Sequence, residues 1–160
     1  MKVLGKNLET GEEFITESDD LDNKFIQSMS IFDMAEDKTK KIIDGLDISA
    51  DAKSMLFSFS KVTIRAGETI IKIGRKIIDY ICNVFTEFPS TSFGLLFGAI
   101  AGFLIASIPI IGVVLGPLFG PIAMILGLVG GLGEDLKDRA LIRRVSEINA
   151  KFNPLTTVPT

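Results

Sequence analysis

The chain has 160 residues, 47 % of them hydrophobic, with a mean hydropathy of +0.40 and a formal net charge of −3. It holds no histidine and a single cysteine, Cys82, which excludes an intrachain disulfide and argues against a His-based general base, a Cys/His nucleophile or a zinc cluster. A mildly acidic chain without a basic block offers no electrostatic footprint for nucleic acid. No catalytic residue, metal site or cofactor is therefore predicted, and the chain reads as something other than an enzyme.

Charge divides the chain unevenly. Residues 1–60 carry 7 Lys/Arg against 13 Asp/Glu, residues 61–87 carry 5 against 3, and residues 134–160 carry 5 against 4. No charged residue falls between Phe88 and Gly133. Four segments follow: an acidic N-terminal helical region over 1–66, an amphipathic connector helix over 67–87, an apolar glycine-rich stretch over 88–133, and an amphipathic helix with a tail over 134–160.

The first 17 residues separate Val3, Leu4, Leu8, Phe14 and Ile15 with turn-prone Gly5-Lys6-Asn7 and Thr10-Gly11, a weak strand signal that fits either an extended or hairpin-like start or disorder. Ser18 or Asp19 caps an expected helix running to about Asp44, where Gly45 stops it. Ser49 caps a second helix with Asp51 in its first turn. From Glu68 onward Ile70, Ile73, Ile77, Ile81, Val84 and Phe88 share one helical face, opposite Lys72, Lys76, Asp79 and Asn83. Such a helix either lies in a membrane interface, with Lys72, Arg75 and Lys76 near lipid phosphates, or packs on the N-terminal helices.

The apolar stretch is 46 residues long and holds ten of the fifteen glycines. A bilayer crossing takes roughly 20 residues at about 1.5 Å each, which leaves room for two. Ser107-Ile-Pro-Ile-Ile-Gly112 contains the best break, since Pro109 cannot donate its backbone bond and Gly112 can turn. A transmembrane helical hairpin turning at Ser107, Pro109 and Gly112 is the expectation. Gly94, Gly98 and Gly102 recur every four residues; Gly112, Gly116 and Gly120 repeat the interval, and Gly127 and Gly131 follow. Residues four apart stack on one helix face, so each run forms a groove where backbones approach closely.

Those arrays resemble the glycine-zipper membrane proteins, and the uncharged hairpin is similar to that of pore-forming bacteriocins. The resemblance covers residues 88–133 as a pattern. It implies close helix packing and assembly as a homo-oligomer.

Beyond Gly133, Leu141, Val145, Ile148 and Phe152 form an apolar stripe, with Arg139, Arg143 and Arg144 available to lipid headgroups. Basic residues flank the stretch on both sides, favouring an inner or cytoplasmic membrane location with both termini cytoplasmic. MKVLGKNLETGEEF turns polar where an apolar signal core would begin, so the internal stretch would have to do the targeting.

The sequence thus predicts an all-α membrane protein whose partner is a lipid bilayer. Its expected function is oligomeric membrane insertion that perturbs or permeabilises the membrane, as toxin or phage-related effectors do. The alternative is a non-conducting anchor that presents residues 1–66 to a protein partner.

Overall fold

The computed structural model describes residues 1–17, 21–32, 34–126 and 138–156. Strand β1 (Lys2–Lys6) pairs antiparallel with β2 (Glu13–Glu17), Leu4 facing Ile15. Asn7 closes their connection by accepting backbone N–H bonds from Glu9 and Thr10 at 2.9 and 3.0 Å, the Asx geometry that favours turns over continued strand.

Helix α1 (Asn23–Ser30) starts behind Asp22, whose carboxylate accepts from the Phe25 N–H at 2.9 Å. Helix α2 (Glu36–Asp44) and helix α3 (Ala50–Ser60) follow, the latter capped by Ser49 at 3.1 Å. Two short strands, β3 (Ile64–Ala66) and β4 (Thr69–Ile71), are joined by Gly67 and Glu68. Gly67 has φ of 60°, the left-handed value that a two-residue hairpin loop with glycine first requires.

β3 also pairs with β1, giving a four-stranded antiparallel sheet of order β2-β1-β3-β4. Strand alternation sends Val3, Gly5, Ile64, Ala66 and Ile71 to its buried face. The outer face carries the cross-strand row Ile15, Leu4, Arg65 and Ile70, with Ile15 62 % and Ile70 61 % exposed. On the edge strand β2, Glu13 and Glu17 stand opposite Lys6 and Lys2 of β1.

The remaining helices are α4 (Ile73–Glu87), α5 (Phe93–Phe97), a π-helical turn (Gly98–Gly102), α6 (Phe103–Ser107), α7 (Pro109–Ile125) and α8 (Arg139–Ala150). Helix α4 is the hub, packed against α2, α3, α5, α8 and the π turn. Helix α7 lies between α3 and the sheet, where Ile110 and Val114 press on the backbone of Gly5. One hydrophobic cluster runs from Val3 through Ile77 and Leu115 to Leu155.

The all-α expectation is corrected by the sheet. Residues 64–71 do not continue a helix, because β-branched residues on both sides of Gly67 favour an extended ribbon over a helix weakened by glycine. The expected helix from Ser18 or Asp19 to Asp44 is two helices, capped at Asp22 and restarted at Glu36; Ser18 and Asp19 lie outside the described residues.

Among the described residues no helix is long and apolar enough to cross a membrane. Pro109 divides the apolar run: the helix before it ends at Ser107 and the 17 residues of α7 fall short of the roughly 20 a crossing takes. Transmembrane helices and an integral membrane location with both termini cytoplasmic are therefore corrected. The apolar stretch instead shares the core of the flanking segments, with Leu96, Phe97, Ile100, Leu104, Ile110, Ile111, Leu115 and Ile122 all buried, each such side chain contributing about 1.5–3 kcal/mol.

The two apolar helices do fold back on each other about Ile108. Phe97 stacks on Phe119 at 5.4 Å between ring centroids. A Cβ on Gly102 would lie 3.1 Å from Phe119, and one on Gly112 would lie 2.8 Å from the Ile105 carbonyl oxygen. At Gly116 and Gly120 the zipper is corrected. A Cβ on Gly116 or Gly120 would meet nothing within 4 Å. Gly98 is buried and Gly94 half-buried, while Gly127 and Gly131 lie outside the described residues.

Candidate functional site

Three helical faces converge on one cleft of about 560 Å³. Helix α2 contributes Glu36, Thr39, Lys40 and Ile43, spaced three and four residues apart and so on a single face. The end of α3 contributes Phe57 and Ser60 by the same spacing, followed by Lys61 and Thr63, and the start of α4 contributes Lys72 and Arg75.

Gly74 lets these walls meet. Its N–H donates to the Val62 carbonyl at 3.0 Å, and a Cβ at this position would overlap the carbonyl oxygen of Phe59. Only a residue without a side chain allows the start of α4 to abut the end of α3. Lys53 donates to the Asp44 carbonyl at 2.6 Å, tying the end of α2 to α3.

Four cations and one carboxylate line the cleft, a local charge of +3 (4 − 1) in a chain whose net charge is −3. Lys40, Lys61 and Lys72 are exposed. Arg75 is half-buried and held in place: its guanidinium carbon sits 3.8 Å from the centroid of the Phe32 ring, and Nη2 donates to the Met34 carbonyl at 3.3 Å. Its Nε is buried with no hydrogen-bond partner. Buried donors are nearly always satisfied, so this N–H is open to an acceptor.

The polar face that carries Lys72 and Arg75 continues along α4 and becomes buried. Lys76 is 3 % and Asp79 1 % exposed. The Thr39 hydroxyl donates to Asp79 at 3.2 Å, and Lys76 donates to the Ile31 carbonyl while its ammonium lies 4.9 Å from the Tyr80 ring centroid. A smaller cleft of about 390 Å³ opens there, lined by Ser28, Ile31, Lys76, Tyr80 and Lys151.

The structure scatters the cations assigned to a membrane interface. Lys72 and Arg75 reach the cleft, Lys76 is buried one turn after Lys72, and Arg139 and Arg143 are exposed on α8. Arg144 pairs with Glu87 at 3.3 Å. Lys40, Phe57 and Lys61 were not legible as site residues, since only the helix-face spacing of Glu36 and Lys40 and the net +2 of residues 61–87 hint at them.

No group of three or more His, Cys, Asp or Glu among the described residues is placed to hold a metal ion. Cys82 is fully buried, and its thiol pKa is raised to about 12, by desolvation first and by the charge of Asp79 second. No known protein family, curated protein or solved structure matches the chain.

Proposed function

We propose that the protein is a binding protein whose cleft between α2, α3 and α4 takes up an anionic group. The observation that carries this reading is the concentration of four cations in one concave site of an acidic chain. Charge of one sign in a low-dielectric concavity focuses the field and raises the local concentration of oppositely charged ligand. Arg75 supports it, because a guanidinium already fixed by Phe32 and Met34 loses little further freedom when it meets an anion. Two of the three walls come from residues 1–66, the region for which a partner is expected from sequence. This function requires no spanning helix.

The test is titration of ¹⁵N-labelled protein with inorganic phosphate at low ionic strength. Amide shifts should saturate along α2, the end of α3 and the start of α4, and should vanish in the Lys61→Glu/Lys72→Glu variant. Shifts spread over the whole surface, or none at all, would sink the anion-binding reading.

A further inference from the structure

We infer that the occupant of the cleft is a nucleoside diphosphate, an inference that rests on the anion-binding reading above and narrows it. The lining has three chemically different parts. Lys40, Lys61, Lys72 and Arg75 supply four positive charges. A phosphate monoester carries about −1.5 to −2 at neutral pH, so one alone leaves the site over-supplied, whereas a second phosphate brings ligand and site near balance. The cations come from three elements around one concavity, which suits a compact polyanion better than the spaced single charges of an acidic peptide.

Phe57 supplies the second part. Its ring is on the cleft wall, half-buried, and packed against the core on one side. An aromatic side chain lining a cleft beside cations suits contact with a nucleobase, since every base has a π-face. Ile43, which is fully buried, lies behind this wall.

Glu36 is the third part. A carboxylate in a cleft that otherwise attracts anions opposes phosphate, although its place in the first turn of α2 suits the helix dipole. It fits as an acceptor for the hydroxyls of a ribose, the task acidic residues perform in dinucleotide sites. The cleft volume of about 560 Å³ is within the range of small-ligand pockets, about 300–1,000 Å³.

Calorimetric titration of the full chain with inorganic pyrophosphate and with ADP, GDP, CDP and UDP tests this. At least one nucleotide should bind roughly tenfold tighter than pyrophosphate, the increment expected from one stacked base. Phe57→Leu should abolish that difference and leave pyrophosphate affinity unchanged. Should Phe57→Leu fail to fold, Glu36→Gln at an exposed position decides the matter: it should weaken the nucleotide and strengthen pyrophosphate, opposite signs that a purely electrostatic site cannot produce. Pyrophosphate binding as tightly as all four nucleotides would overturn the nucleoside assignment and leave the anion cleft standing. Binding of neither pyrophosphate nor any nucleotide would overturn both.

Discussion

Helices α4 and α7 have exchanged the environments their compositions suggest. Helix α4 carries Arg75, Lys76 and Asp79 and reads as a surface or interfacial helix, yet ten of its fifteen residues are buried, Lys76 and Asp79 among them. Helix α7 has no charged residue, yet only five of its seventeen residues are buried, and Met124 near its end is 69 % exposed. Burial is decided by what surrounds a helix. Helix α4 is enclosed by α2, α3, α5, α8 and the π turn, and its polar groups are met by the Thr39 hydroxyl of α2, the Ile31 carbonyl at the end of α1 and its own Tyr80 ring, whereas α7 is covered by α6, the π turn, α3 and the sheet along one side and leaves the other uncovered. A charged helix can occupy the centre when its neighbours satisfy it, because the penalty attaches to unpaired polar groups rather than to polar composition.

Breaking the enclosure of α4 gives the largest expected effect. Gly74→Ala drives a Cβ into the Phe59 carbonyl, and since backbone cannot rotate aside as a side chain does, α4 must move away from α3. Urea denaturation should show a loss of about 3 kcal/mol or more, at or above the upper end for overpacking. An unchanged midpoint would mean that α4 and α3 do not meet as described.

Lys76→Met removes the ammonium bound to the Ile31 carbonyl and set against Tyr80. Loss of a buried charged donor predicts about 2 kcal/mol of destabilisation in the same assay. A gain would show that α4 tolerates an apolar core position better than a satisfied polar one.

Cys82 provides a pH probe of the same helix. Its folded pKa of about 12 exceeds the ordinary 9.0, so the folded state holds the thiol proton more tightly. The associated stability is intact below pH 9 and is lost as pH rises toward 12, with a limiting slope of about 1.4 kcal/mol per pH unit. Cys82→Ala should flatten stability measured over that range, and the wild-type thiol should react with iodoacetamide only as fast as the protein unfolds.

The exposed side of α7 gives the smallest effect, with the opposite sign. Gly116→Ala adds a methyl group into open space within a helix and should stabilise by about 0.5–1 kcal/mol. Gly112→Ala, four residues earlier, meets the Ile105 carbonyl at 2.8 Å and should destabilise. Equal effects from both would restore a uniform groove along this helix.

These contrasts explain what the sequence could convey. The break at Pro109 is legible because proline lacks an N–H, and the cap at Ser49 because its side chain bonds the backbone locally. The strands on either side of Gly67 are less so. Each is three residues long; β3 is held by pairing with β1, more than 50 residues away in the chain, and β4 only by pairing with β3. The length of an uncharged stretch likewise says that it avoids water and leaves open whether lipid or protein provides the shelter. Regular glycine spacing shows which positions share a face, but Gly102 and Gly116 have the same local signature and different neighbours. The cleft is the least legible feature, because its walls are separate helix faces brought together by the close approach at Gly74.

The acidic residues of β2 have a consequence for growth by addition of copies. An antiparallel pairing of β2 with the same strand of a second molecule, centred on Ile15, would set Glu13 against Glu17 twice. Like charges directly opposite are unfavourable, and charged edge residues are a common defence against sheet extension. Two copies meeting at this border repel one another, so extension of the sheet is disfavoured on the β2 side.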